Sequence, residues 1–211
     1  MYVPKHYAEE RLDVLHDAIA RAEFGTLVTF GSTGLNATHL PVLLDRAAGP
    51  YGSLRCHVAR GNPQWRDHAP DVQALVMFLG PHAYISPNWY PSKQENGQVV
   101  PTWNYLAVHA YGPLRIFDDQ DELRDHVTRL TQRQEATQAE PWQVNDAPAD
   151  YVAGLLKGIV GLEIPIERLE GKWKMSQNRP VADREGAIDG LLASDAPAGH
   201  AVANVMSQLL P

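Results

Sequence analysis

The spacing of apolar residues predicts one helix near the start of the chain and a series of short strands after it. Leu12, Leu15, Ile19 and Ala22 recur with a helical period, so residues 8–23 are expected to form an amphipathic helix. The following apolar runs are short or alternating and are separated by Gly, Pro and Ser, a pattern typical of strands joined by turns. The first strands are expected at residues 26–30, 35–45, 53–59 and 72–79.

The second half of the chain mixes strands with helices. Gly80-Pro81 is expected to end the fourth strand, and Asn62-Pro63 has the chemistry of a helix start. Asp119 and Glu122 resemble a capping box, with Asp in place of Ser or Thr. The remaining expectations are a polar loop at 87–101, strands at 102–117 (interrupted at Gly112-Pro113) and 159–166, and helices after Asp119 and at 149–157, 180–194 and 199–210.

These elements favour one α+β domain built on a small barrel. About six strands follow one another through short turns, and strands joined in that way must be antiparallel. Closing six antiparallel strands into a barrel removes exposed edges. No linker interrupts the pattern, so residues 1–211 are expected to be a single domain with helical additions at both ends.

Composition and charge exclude several classes of protein. Of the 211 residues 44% are hydrophobic, which is enough for a packed core, and 18 basic against 25 acidic residues give a net charge of −7. That balance argues against a protein that coats nucleic acid or an anionic membrane. One cysteine, Cys56, allows no internal disulfide. The apolar runs are too short to span a membrane and the first residues lack a secretory signal, so a cytoplasmic protein is expected.

Five segments combine aromatic, polar and glycine residues among the apolar strands, and they suit a planar anionic ligand. Trp and Tyr offer flat apolar faces, while Arg60 beside a helix start offers a guanidinium and free N–H groups for a phosphate. Lys172 and Lys174 add positive charge. Neutral groups suited to a ring edge or a polyol are Thr38, Ser86, Asn104 and Gln177. Phosphate, polyol and ring together describe FMN better than a bare sugar or an acyl substrate.

Simpler explanations exist for most of these residues. His39, His57, His82 and His109 each fit a structural histidine, and no short spacing pairs them with carboxylates, so no metal site is expected. Tryptophans commonly belong to the core, a helix cap alone accounts for Asn62-Pro63, and Cys56 fits an inert buried thiol. The motifs of nucleophilic hydrolases and P-loop NTPases are absent from the sequence.

At the same segments the chain resembles the PaiB-type FMN-binding negative transcriptional regulators. Seven runs occur in the family's order and span nearly the whole chain. The runs lie at residues 24–29, 37–41, 57–65, 80–86, 100–105, 156–161 and 172–179.

This resemblance implies a six-stranded antiparallel Greek-key split barrel, related to pyridoxamine-phosphate oxidases and flavin reductases, in a homodimer with FMN at the interface. It places the FMN phosphate near Arg60 and Asn62, the strand at 38–40 along the flavin, and the run 172–179 over the site. The FMN-binding residues implied are Thr38, His39, Leu40, His57, Arg60, Asn62, Tyr84, Ser86, Trp103, Asn104, Lys172, Lys174, Ser176 and Gln177.

Three functions remain open on the sequence. The resemblance implies a transcriptional regulator, but the two C-terminal helices carry little positive charge, so direct DNA binding is not expected and regulation would be indirect or redox-linked. A flavin-dependent oxidoreductase, acting on a nicotinamide or another small substrate, is the alternative. A haem-binding barrel would need an axial ligand such as one of the four histidines named above.

Overall fold

The computed structural model describes all 211 residues, which form ten strands and six α-helices. The strands are β1 (Ala8–Glu9), β2 (Phe24–Gly31), β3 (Gly34–Pro41), β4 (Leu43–Asp45), β5 (Ser53–Ala59), β6 (Ala74–Ile85), β7 (Thr102–Gly112), β8 (Arg115–Phe117), β9 (Ile159–Pro165) and β10 (Arg168–Lys174). The helices are α1 (Leu12–Ala22), α2 (Ser92–Asn96), α3 (Gln120–Glu135), α4 (Ala149–Leu156), α5 (Val181–Leu192) and α6 (Pro197–Gln208). No helix has the length and apolar character needed to cross a membrane.

The chain divides into two compact units, each assembled from segments that are distant in sequence. Unit 1 comprises Met1–Ala18, Phe78–His109 and Glu170–Pro211, and unit 2 comprises Ile19–Met77 and Ala110–Leu169. The four boundaries fall inside α1, β6, β7 and β10, so no linker segment separates the units along the chain. The single domain expected over residues 1–211 stays a prediction.

Unit 2 contains a four-stranded antiparallel sheet in the order β4-β5-β9-β8. Every residue of β5 pairs with β9, from Ser53 opposite Pro165 to Ala59 opposite Ile159. The Phe117 ring lies directly against Gly161, where a Cβ would come within 2.1 Å of it. This sheet packs on α3 and α4 through a core cluster of Phe117, Leu123, Val144, Val152 and Leu156. Burial in the same sheet raises the pKa of the Cys56 thiol to about 12, which fits the inert thiol expected from the sequence.

Unit 2 also contains the β2–β3 hairpin, which joins the start of β6 through β2. Phe24 lies opposite Pro41 and Phe30 opposite Leu35. These pairs share one face of the hairpin because the side chains along a strand alternate. Phe24, Phe30 and Leu35 are 56%, 49% and 79% exposed, so three large apolar side chains lie uncovered on the outer face of this hairpin.

Unit 1 contains β1, most of β10, β7 and β6, which neighbour one another in that order, together with the first part of α1 and with α5 and α6. Trp89 packs on α5, where a Cβ at Gly190 would come within 2.3 Å of the indole. Glycine at this position therefore lets the ring lie on the helix backbone. Fully buried Met206 and Val202 place one face of α6 in the core of the unit.

The structure corrects the expected strand count and the expected closed barrel. The strand expected at 35–45 breaks at Val42, whose N–H donates to the carbonyl of Glu23 at 2.8 Å. The interruption predicted at Gly112-Pro113 is confirmed and also yields two strands. Two further strands, β1 and β10, were not predicted. The ten strands form open sheets of six and four, with β1 and β3 at the edges of one and β4 and β8 at the edges of the other.

Two other expectations were wrong in extent. The fourth strand continues through Gly80-Pro81 to Ile85, since the missing side chain of Gly80 leaves room for Leu106 on β7. The helix expected at Asn62-Pro63 is only a 3₁₀ turn, Pro63–Trp65, although Asn62 does cap it. The cap predicted at Asp119 is confirmed, because its side chain accepts from the N–H groups of Asp121 and Glu122.

Candidate functional site

In unit 2 a hydrogen-bond network fixes the turn after β5 to the hairpin. The Asn62 side chain accepts from the N–H of Gln64 at 2.9 Å and donates to the Thr38 hydroxyl at 3.1 Å. Thr38 donates to the amide oxygen of Gln64, which is fully buried. Gln64 in turn donates to the Thr29 hydroxyl at 3.1 Å. Thr38 and Asn62 are therefore brought together, and both already serve the fold.

The Arg60 guanidinium in the same unit is held on three sides. It forms a bidentate ion pair with Asp118 and donates to the carbonyls of Lys157 at 2.7 Å and Ile159 at 2.8 Å. The Arg60 hydrogen bond holds the pKa of Asp118 below its usual range. A phosphate at Arg60 would have to share the guanidinium with this carboxylate, which the sequence did not reveal.

Alternation along β3 separates the three consecutive residues that were expected along the flavin. His39 is exposed, and its Nδ1 lies 2.8 Å from the Thr26 hydroxyl. Leu40 points into the core with 3% of its surface exposed. The side chains of Thr38, His39 and Leu40 therefore do not share one face of the strand.

The remaining unit 2 candidate, His57, pairs with a histidine that sequence reasoning missed. Its Nδ1 lies 3.1 Å from Nε2 of His126 on α3, and the His126 ring also meets the edge of Phe117. Burial lowers the pKa of both imidazoles, and that of His126 falls to about 3, with further contributions from His57, Arg55 and Arg129. Burial and the nearby charges of Arg55 and Arg129 therefore favour the neutral form of His126, and the FMN contact expected of His57 stays a prediction.

In unit 1 the aromatic candidates form an exposed cluster on β6 and β7. The Trp103 ring lies 6.2 Å from Tyr84 and 6.3 Å from His82, measured between ring centroids. Trp103 is 54% exposed, so flat apolar surface is accessible to a ligand. Ser86 instead caps the turn that follows β6, accepting from the N–H of Asn88 at 3.2 Å.

A polar cluster in the same unit connects β7 with the end of β10. Asn104 is fully buried, accepts from the Ser176 hydroxyl at 3.1 Å and donates to the Met206 sulfur at 3.2 Å. Lys174 donates to the Thr102 hydroxyl and to the carbonyl of Trp103 at 2.6 Å. The structure thus brings Asn104, Ser176 and Lys174 together, as a binding site requires.

The other two C-terminal candidates serve local structure. Lys172 is buried and donates to the carbonyl of Tyr2 at 3.0 Å, with its ammonium over the Tyr105 ring at 5.3 Å. Gln177 accepts from the N–H of Met175 at 2.8 Å and donates to the carbonyl of Trp173 at 2.5 Å, closing the turn after β10.

The groups that the chain presents fit FMN. The cofactor joins a planar ring to a phosphate, and unit 1 supplies exposed aromatic faces together with lysine and hydroxyl donors. Two further residues, Gln64 and Arg179, were left out of the predicted set although both lie in the motif runs. The feature of the sequence that could have identified them is a polar side chain placed among apolar strands.

Comparisons with known proteins agree with this chemistry. A family model with the description "Putative FMN-binding domain" matches residues 1–168. The Bacillus subtilis protein "Protease synthase and sporulation protein PAI 2" is 36% identical over 210 residues, covering 100% of this chain and 98% of its own.

Solved structures with little sequence identity show the same fold. The FAD and haem binding protein from Mycobacterium smegmatis is 14% identical with a TM-score of 0.57, over 80% of this chain and 73% of that one. The flavocytochrome Anf3 from Azotobacter vinelandii is 8% identical with a TM-score of 0.59, over 82% and 72%. The family model and the full-length relative identify the same family, and the donor groups of the chain fit its cofactor. The chain belongs to the PaiB-type family of FMN-binding proteins, with FMN as its cofactor.

Proposed function

We propose that this chain is a cytoplasmic, homodimeric split-barrel flavoprotein that affects transcription through the redox or ligand state of its FMN. It does so without contacting DNA through its C-terminal helices. The observation that carries this proposal is the absence of exposed Lys and Arg side chains on α5 and α6, while the same unit holds aromatic and cationic groups suited to FMN.

The charges of these helices argue against a DNA-recognition role. α6 contains no Lys or Arg, and the one arginine of α5, Arg184, is buried and donates to the carbonyl of Leu209. Asp183 on α5 is buried as well and accepts from Ser92. A recognition helix needs exposed lysine or arginine side chains that contact the DNA phosphates, and these two helices have none.

The exposed aromatic cluster is the proposed platform for the flavin ring. Trp103 and Tyr84 offer the apolar faces, while Lys174 and Ser176 supply donors from the end of β10. FMN supplies reversible electron and hydride transfer when it is bound. The residues of the chain orient it and exclude water from part of its surface.

We propose that the homodimer forms when a second copy of the chain packs on the outer face of the β2–β3 hairpin. Phe24 lies at one end of the outer face and Phe30 and Leu35 at the other, and exposed large apolar side chains of this kind mark interaction sites. Leu35→Lys is expected to shift the protein from dimer to monomer in analytical ultracentrifugation. A wild-type protein that sediments as a monomer would refute this part of the proposal.

One observation favours a flavin-dependent oxidoreductase as the second candidate. The rings of Trp103 and Tyr84 remain about half exposed, so a planar substrate such as a nicotinamide has access to the same surface.

The absorbance spectrum of the untreated protein tests the cofactor first. Flavin bands are expected, whereas a Soret band without flavin would indicate haem and overturn the proposal. Stoichiometric reduction by NADH or NADPH at catalytic rates would select the oxidoreductase. Sequence-specific, salt-resistant binding of promoter DNA by the protein alone would refute indirect regulation.

A further inference from the structure

A cavity of about 230 Å³ in unit 1 is lined by cationic and neutral groups and by no carboxylate. It lies between the start of β7, the end of β10 and the turn that follows β10. Its polar walls include Lys174 and Arg179, with Thr102, Asn104, Ser176 and Asn178 between them. A cavity with two cations and no acidic partner is suited to an anion.

Lys174 retains donor capacity toward this cavity. Its ammonium has three N–H groups, and the Thr102 hydroxyl and the Trp103 carbonyl accept two of them. Burial and the neighbouring charge of Lys172 lower the pKa of Lys174, and no carboxylate lines the cavity to offset its positive charge. An anion in the cavity would supply that compensation.

Arg179 is the second cation, and its guanidinium makes neither a hydrogen bond nor an ion pair. It lies over the ring of Tyr90, 5.0 Å from the centroid, which orients it without using any of its five donors. Tyr90 itself is 1% exposed, and its hydroxyl meets no partner at hydrogen-bond geometry. The arginine is therefore placed by a rigid aromatic support, with its donors available.

The neutral part of the lining is held in a defined conformation. Ser176 has a φ of +62°, a left-handed conformation that is uncommon for a residue with a side chain. Fully buried Asn104 fixes it by accepting from its hydroxyl. Asn178 accepts from the Tyr7 hydroxyl at 2.8 Å, which leaves its amide N–H groups available. Strain held by buried partners is typical of binding sites.

We propose that this cavity binds a phosphate-type oxyanion through Arg179 and Lys174. Its volume suits a tetrahedral anion with bound water and is smaller than the roughly 300–1,000 Å³ that whole drug-sized ligands occupy. The occupant is either the phosphate of FMN or a separate phosphate-bearing ligand. The proposal rests on the cavity and does not require that the protein bind flavin.

The test uses Arg179→Met, which retains an apolar stem over Tyr90 and removes the charge. Arg66→Met is the matched control, because Arg66 also lies over an aromatic ring, 4.3 Å from the centroid of Trp65, and does not line the cavity. Calorimetry measures binding of inorganic phosphate to flavin-free and FMN-loaded protein. Fluorescence quenching compares the affinities for FMN and riboflavin. We expect Arg179→Met to weaken phosphate binding about tenfold or more, and the control to leave it unchanged.

The binding measurements distinguish the phosphate of FMN from a separate phosphate-bearing ligand. If the occupant is the FMN phosphate, Arg179→Met lowers the affinity for FMN but not for riboflavin, and bound FMN blocks inorganic phosphate. If the ligand is separate, inorganic phosphate binds to FMN-loaded protein and the FMN affinity is unchanged. The proposal is overturned if wild-type flavin-free protein does not bind phosphate, or if Arg179→Met and Arg66→Met behave alike. Lys174→Met replaces Arg179→Met if that variant fails to fold. Failure to bind any flavin would refute the proposed function and leave the phosphate result standing.

Discussion

The buried histidine pair predicts that this protein loses stability in mild acid. His126 is 1% exposed, and its pKa falls from the usual value near 6.5 to about 3 in the folded state. Between these two pH values His126 is protonated in the unfolded chain but stays neutral in the folded chain. Stability from this group is therefore complete above about pH 6.5 and declines as the pH falls toward 3.

The size of the effect follows from the same numbers. Each pH unit within this window costs about 1.4 kcal/mol of unfolding free energy for one group. Lowering the pH from neutral to about 5 traverses about one and a half units of the window, so His126 alone accounts for about 2 kcal/mol. Burial also lowers the pKa of His57, which adds to the loss in the same direction.

Urea unfolding of the wild type and of His126→Leu, near pH 7.5 and near pH 5, isolates this contribution. The variant is expected to lose about 2 kcal/mol less than the wild type over that interval, because the titrating group is gone. His200→Gln is the control, since His200 is exposed and contacts only the carbonyl of Ser194 in its own region. Equal losses in the wild type and in His126→Leu would refute the reasoning.

Four further substitutions test glycine packing, one helix cap and one ion pair. Gly161→Ala is expected to lower the unfolding free energy by about 1–3 kcal/mol in urea melts, because its Cβ would enter the Phe117 ring. Gly154→Ala on α4 meets open space, so this substitution should raise the unfolding free energy by up to about 1 kcal/mol. Asp119→Ala should cost about 1 kcal/mol in the same assay, since α3 loses its N-cap, and no change would contradict the cap. Arg60→Ala should lower the melting temperature even without flavin, because Asp118 and two carbonyls lose their partner; a loss of FMN affinity alone would contradict the structural role.

The parts of the fold that could be predicted are those governed by local chemistry. The hairpin follows from a β-branched run, a Gly-containing turn and a second alternating run, and the caps at Asn62 and Asp119 follow from side-chain geometry. β10 escaped prediction because its residues look polar. Lys172 is nevertheless buried there, since the carbonyl of Tyr2, 170 residues away in sequence, accepts its charge.

In the candidate site, too, local sequence patterns could be predicted and long-range contacts could not. Motif runs identified the residue types and the cofactor, but not what each side chain contacts. The ion pair of Arg60 with Asp118 spans 58 residues of sequence and the contact of His57 with His126 spans 69, so neither contact could be predicted, while the FMN contacts expected of Arg60 and His57 stay predictions. Arg179 could not be distinguished from a surface arginine until the ring beneath it was located. Long-range partners decide such roles, and a single sequence does not contain them.

The interleaved order of the two units has a consequence for synthesis on the ribosome. Every residue of unit 2 has emerged once the chain has passed Leu169, while unit 1 still lacks Glu170–Pro211. All residues of unit 2 are therefore synthesised before unit 1 is complete. Lys174 and Arg179 belong to the segment that is made last, so a polypeptide that ends before Lys174 lacks both cations and cannot bind an anion through them.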